Sequence, residues 1–169
     1  MSNWNGAAAL SISSWAAETD TICNLYAYQA PDAEEVLIAW LMPLRPGATA
    51  SARENTDPLP FTLITHITGS EVVDAGTADP VLSVHTLCDK TLGYDNAKNE
   101  AQRTHRRILQ LAHYLDENSA LTLNNGQPVG VDYIKITEAP VWVPYQDTRI
   151  LRKVGRYMVG FSYVPAIVT

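Results

Sequence analysis

Residues 61–95 read FTLITHITGSEVVDAGTADPVLSVHTLCDKTLGYD. Two runs in it, 61–68 and 81–88, are rich in β-branched and apolar residues, and a polar segment with Gly69 and Pro80 at its ends separates them. Runs bounded by such breakers are strand signals, so two strands joined by a loop over 69–80 are expected. The same stretch carries two histidines, one cysteine and four aspartates, which would also suit a hydrolase or a metal site.

Strand geometry decides much of this. Successive side chains of a strand face opposite sides, so His85 and Cys88, three apart, point away from each other. A zinc knuckle would need a turn there and a second Cys or His pair downstream, whereas the other cysteine, Cys23, has no partner motif. The chain has no G-x-S-x-G elbow and no H-E-x-x-H pair, and no cysteine stands at a helix start beside a histidine. His66, His85, Cys88 and Asp89 are therefore read as structural. No catalytic residue, cofactor or metal ligand is expected, and a hydrolase acting through these four residues is the distant alternative.

Outward from this stretch, PDAEEVLIAWLMP places Asp32 as an N-cap, Glu35 three later as in a capping box, and Pro43 as the stop. Val36, Leu37, Trp40 and Leu41 share a face of that helix. LRPGATASARENTDPLP, 44–60, has few apolar residues and several breakers; so long a loop is commonly functional or disordered. A long helix is expected over about 96–115, with Ala97, Ala101, Ile108, Leu111, Ala112 and Leu115 at helical spacing. Its other face carries Arg103, Arg106, Gln110 and His113, a solvated or subunit-facing surface. NNGQ at 124–127 is a hairpin-type turn, and 129–137 and 156–164 read as strands. In the last, Tyr157, Val159, Phe161 and Tyr163 alternate with more polar or smaller residues. The expected fold is α+β: a mixed, mostly antiparallel sheet of four to five strands packed with one long and one or two shorter helices. Residues 1–30 are an arm, and 31–169 form a single domain.

The chain has 169 residues and a net charge of −6, which argues against general affinity for nucleic acid. Two cysteines without framework spacing suggest reduced thiols and an intracellular birthplace. No apolar run is long enough to span a membrane, and the N-terminus lacks a basic signal-peptide region. Charge is unevenly placed. Residues 1–44 hold five acids (Glu18, Asp20, Asp32, Glu34, Glu35) and no Lys or Arg, while 149–169 hold Arg149, Arg152, Lys153 and Arg156 and no acid. A self-complementary assembly would place such a basic edge against an acidic one on a neighbour.

The ordered set LPFTLITHITGSE…ADPVLSVHTLCDKTLGYDNAKNEAQRTHRRILQLA, closed by APVWVPYQDTRILRKVGRYMVGFSYV, resembles the tail terminator proteins of long-tailed phages of the siphovirus type. The likeness covers 32–164 and consists of punctuation: a Pro-led strand ending near a Gly, an Asp-Pro before a second strand, and a long helix with spaced alanines. A Pro-aromatic stretch and a Tyr-containing last strand complete it. The resemblance implies a structural virion protein, made in the host cytoplasm. It would form a ring, typically of six subunits, at the head-proximal end of the tail. The ring caps the tail tube, stops its growth and joins the head-side connector, with DNA passing through the lumen unbound. Its partners would be further copies of itself, the major tail tube protein and the connector. Another neck ring, such as a head-closure protein, is the near alternative. Residues expected at subunit or tube contacts are Arg149, Arg152, Lys153, Arg156, Arg45, Arg53, Glu34 and Glu35. A compact domain of this length is about 40 Å across, so six in a ring leave a hole wide enough for DNA.

Overall fold

The computed structural model describes residues 28–114 and 121–165. In chain order the elements are β1 (Tyr28–Gln29), α1 (Ala33–Leu41), β2 (Thr49–Ala50), β3 (Phe61–Val72), β4 (Thr77–Asp89) and α2 (Tyr94–Tyr114). They continue with β5 (Leu121–Thr122), β6 (Pro128–Val129), β7 (Tyr133–Trp142), β8 (Ile150–Ser162) and β9 (Val164–Pro165). Five strands make one sheet in the order β2-β3-β4-β8-β7. Its long strands pair antiparallel, and only the short β2 runs parallel to its neighbour β3. The fold is α+β with a mixed sheet, one long helix and one short one, as the sequence indicates.

The α1 start follows the capping logic of its residues: the Glu35 N–H donates to Asp32 Oδ1 at 3.1 Å. Its end is set by Pro43, which falls in a 3-10 turn, Met42–Leu44. Both helices pack on one face of the sheet. Val36, Leu37 and Leu41 of α1 and Ile108 and Leu111 of α2 meet Ile64, Leu82, Val84, Tyr157, Val159 and Phe161 of the strands. Trp40 locks the helices together: its Nε1–H donates to the Arg107 carbonyl at 2.6 Å, and the Arg107 guanidinium lies 3.7 Å from the ring centre. On β8, Gly155 leaves room for the Tyr157 ring, since a Cβ there would sit 2.7 Å from the phenol oxygen. That oxygen hydrogen-bonds His105 Nδ1 at 2.7 Å.

Three boundaries differ from expectation, each for a local reason. The segment 69–80, expected as a loop, is mostly strand: β3 runs to Val72 and β4 starts at Thr77. Gly69 and Pro80 looked like breakers, but they are cross-strand partners. A Cβ on Gly69 would lie 2.7 Å from Pro80 Cα, so only glycine admits the proline there. The turn is tightened to a 3-10 segment, Val73–Ala75, closed by Gly76 at φ 63°. β7 continues through Pro140 to Trp142. It can do so because it is an edge strand, with register shifts on either side of Glu138, and an edge tolerates a missing N–H. β8 begins at Ile150 rather than near Arg156, because its polar first half is still held between two neighbours.

The 44–60 segment, expected as one long loop, is tethered in its first half. β2 lies in the sheet, and Ala48 packs in a small second core with Phe61, Leu87 and Ile150. The expected arm over 1–30 includes Tyr28 and Gln29, which pair with β9 as β1; residues 1–27, with Glu18 and Asp20, lie outside the described residues, as does Leu115. No helix among the described residues is long and apolar enough to cross a membrane.

Candidate functional site

The basic segment is split by strand alternation. Arg152 and Arg156 lie on the sheet face away from the helices, whereas Lys153, in phase with Tyr157, lies on the helix side. Arg149 precedes β8 in a loop, with 86% of its side chain exposed. The acidic counterparts expected from a neighbour are partly supplied within the chain. Arg149 donates through Nε and Nη2 to the two Asp147 oxygens at 3.0 and 2.8 Å. These bonds hold the Asp147 carboxyl down at about 2. Arg156 pairs with Glu138 at 3.2 Å. Arg152 donates to the Pro144 carbonyl and stacks 5.3 Å from the Tyr145 ring centre. Lys153 sits 4.9 Å from the Trp142 ring centre. Burial, and then the charge of Lys98, lower its pKa.

The other expected contact residues scatter. Arg45 is a correction: it is 6% exposed and ties the 44–50 segment to β3 and α2. Its Nη1 donates to Thr62 Oγ1 at 2.7 Å and Thr104 Oγ1 at 2.8 Å, and its Nη2 to the Glu100 carbonyl at 3.0 Å. The Glu100 carboxylate completes the pair and also accepts from Arg103 at 2.9 Å. Burial alone would raise Glu100, but the hydrogen bonds and charges of Arg45 and Arg103 outweigh it and hold the pKa below the ordinary value. Arg53 lies 5.9 Å from the Phe61 ring centre and donates to the Asp57 carbonyl. Glu34 accepts from the backbone N–H of His66 at 2.5 Å, and Glu35 takes part in the α1 cap.

The residues of 61–95 do not converge. His66 is exposed, with Nε2 2.8 Å from the Thr68 carbonyl. His85 is on the opposite sheet face from Cys88, bound to Ser83 Oγ at 2.9 Å. Burial, with the charges of Arg152 and Arg156, lowers the His85 pKa. Cys88 is 1% exposed against Ala97 and Leu151, and burial pushes its thiol up to about 11. Asp89 accepts from the Thr91 N–H and hydroxyl at 2.8 and 2.7 Å, capping a 3-10 turn. Among the described residues no group of His, Cys, Asp and Glu is placed to hold a metal ion.

The structure instead collects surface features at the two ends of the sheet. At one end Asp89 of β4 meets Ile150 of β8, and the Lys90 N–H donates to the Arg149 carbonyl at 2.8 Å. Leu92, Tyr94 and Trp142 are exposed here, and the Tyr94 and Trp142 rings meet edge-on at 5.4 Å between centres. Lys90, Lys98, Arg149 and Lys153 stand around them, with Asp89, Asp95 and Asp147 interspersed. A groove of about 1160 Å³ runs between Arg53, Leu59, Tyr145 and Arg149. The other end is the β3–β4 hairpin. It bears Glu71, Asp74 and Asp79, and Asp132, just before β7, lies at the same end. Three of these take hydrogen bonds from side chains: Glu71 from Tyr163, Asp79 from Tyr133 and Asp132 from Ser162. The sequence reading missed Tyr94, Trp142 and Lys98 as surface residues. The aromatic-rich VWVPY run, 141–145, was the visible signal for Trp142 alone.

Comparison with known proteins adds nothing to this geometry: no protein-family model matches the chain, and no curated protein matches it.

Proposed function

We propose that the chain is a structural phage virion protein, a tail-terminator-type subunit that assembles into a ring capping the tail tube. The observation that carries the reading is the chemical difference between the two ends of the sheet. One end exposes the Tyr94–Trp142 pair among cations and acids together, the other gathers acids with Tyr133 and Tyr163 bonded to them, and they are separated by the length of β8, thirteen residues or about 40 Å. A cap must present one surface to the tube and a different one to the head side, and a subunit with two unlike ends does so in every copy. Exposed Trp and Tyr among cations are the residue types that anchor protein interfaces. The elements that carry the resemblance support the reading too: the Pro-led β3, the Asp79-Pro80 step within β4, the long α2 and the Tyr-bearing β8 follow one another in that order. The role asks for no catalytic group, and the scatter of His66, His85, Cys88 and Asp89 over the described fold is compatible with it. Single ion pairs at a surface are worth little, about 0–1 kcal/mol, but a ring repeats each contact around its circumference.

The test is sedimentation with tail tubes at low and high salt, comparing wild type with Arg149→Glu, Lys153→Glu and Trp142→Ala. Loss of capping by variants that stay folded supports the reading. Capping indifferent to salt and to all three removes the Trp142 end from it. A ring that binds the connector and not the tube assigns the chain to another neck ring.

A further inference from the structure

Among the described residues the sheet has two open edges, and they match. No described strand lies on the outer side of β7, and β3 is covered by β2 only at Thr62 and Leu63. On β3 the Thr62 N–H donates to Ala48 and the His66 N–H to Glu34, so these groups face outward. The register shifts at Ile67. Beyond it Gly69 pairs with Pro80, which has no N–H and so cannot form a hydrogen-bonded pair; the backbone groups of Gly69 and of Glu71 therefore face the open edge. On β7 the Val143 N–H donates to Arg152, so even-numbered residues of β8 face β7. Lys135 pairs with Met158, which leaves the backbone groups of Ile134 and Ile136 facing outward.

Direction and chemistry also agree. β3 and β7 run in opposite senses across the three intervening pairings, so two copies in the same orientation meet antiparallel. On the helix side the β3 edge opens on a groove of about 750 Å³ lined, among the described residues, by Asp32, Glu34 and Glu71 and by no Lys or Arg; on the other side it carries Asp79 beside Ser70. The open part of β7 carries one charge, Lys135. Exposed apolar side chains lie on both edges: Ile67 and Val72 on one, Tyr133 and Ile136 on the other. The rest of β7 is blunted by its register shifts and by Pro140, features that discourage pairing. Only residues 133–136 remain, about 13 Å of strand, the span of 68–71.

We infer that a second copy of this chain docks its β7 segment 133–136 antiparallel on the β3 edge 68–71, with Ile134 opposite Glu71 and Ile136 opposite Gly69. The contact is head to tail, so it propagates from copy to copy and closes when the rotation allows. The inference rests on the ring reading only for that closure. Opposite Ser70, Lys135 lies on the sheet face away from the helices, beside Asp79, the cross-strand partner of Ser70, and that carboxylate selects this edge over others.

In this register Ser70 and Lys135 form a non-hydrogen-bonded pair, with Cα atoms about 4.5 Å apart, within disulfide reach. The test mixes two full-length proteins in a Cys23→Ser, Cys88→Ala background, one carrying Ser70→Cys and the other Lys135→Cys, and oxidises them over rising concentration. Circular dichroism verifies that each is folded. The expected product is the mixed dimer, at least tenfold above a control pair of Ser70→Cys with Gln110→Cys on α2. As a second arm, Lys135→Glu in the otherwise natural chain should weaken self-association about tenfold at low salt with its melting temperature unchanged. Mixed dimer no more abundant than control, or Lys135→Glu without effect, overturns the inference. Rings that cap tubes without this crosslink overturn it and leave the ring reading in place. The crosslink without any capping does the reverse.

Discussion

Replacing Arg45 by Ala removes the cation from a site with 5% of its side-chain surface exposed, facing a Glu100 side chain that is 14% exposed. Breaking a buried pair by deleting one partner costs about 3–5 kcal/mol, because the remaining charge is left without compensation. Here Glu100 keeps Arg103, whose side chain is 58% exposed and whose contact solvent weakens, so the low end of that range applies. Thr62 and Thr104 also lose a donor, although the Thr104 hydroxyl retains its bond to the Glu100 carbonyl at 3.0 Å. The expected loss is about 3 kcal/mol, which at an m of about 2 kcal/mol/M moves the urea midpoint down by about 1.5 M. Urea titration followed by tryptophan fluorescence reads it. Arg45→Met with Glu100→Gln should recover most of the loss, since a neutral pair leaves no buried charge. A midpoint shift below about 0.5 M for Arg45→Ala would refute the reasoning, because it would mean that the pair is solvated.

Gly155→Ala should push the Tyr157 ring off His105 and cost about 1–3 kcal/mol by overpacking, seen as a lowered melting temperature. Cys88→Ala should cost about 1 kcal/mol through lost packing, and in the native protein its thiol, raised to about 11, should resist alkylation at pH 8 and react once unfolded; stoichiometric zinc lost in that variant would contradict the structural reading. His85 is held below 6.5 by burial and by the charges of Arg152 and Arg156, and His105 by burial. Their folded pKa values are depressed, so the unfolded chain binds protons first. Stability from these groups is complete above pH 6.5 and should fall as pH drops through their lower folded values. Hydrogen exchange in the free subunit should be slow at 45–50, held by Arg45 and β2, and fast at 51–58; equal rates in the two halves would remove the tether.

The helix starts and the core were legible in the sequence because they rest on local chemistry: Asp32 and Glu35 make a cap wherever a helix follows, and alternation in 157–161 fixes a buried face. Misjudged boundaries were those decided by a residue distant in sequence. Gly69 and Pro80 are breakers singly and partners together, and Pro140 is tolerated because β7 has no outer neighbour among the described residues. Arg45 read as a surface cation because Glu100 and Thr104 come from α2, more than fifty residues on. The basic segment was visible, but its internal acids were not: Asp147 falls just before the all-basic window, and Glu138 reaches Arg156 only through the β7–β8 pairing. The matching sheet edges have no signature in sequence at all, since an edge is defined by which strands are absent beside it.

Electron microscopy of the purified full chain mixed with tubes of its tail tube protein tests the central proposal most directly. The expected result is a ring with a central hole seated on one end of each tube, and tubes that no longer lengthen when more tube protein is added. Bare tube ends that continue to grow at saturating concentrations of the chain would contradict it.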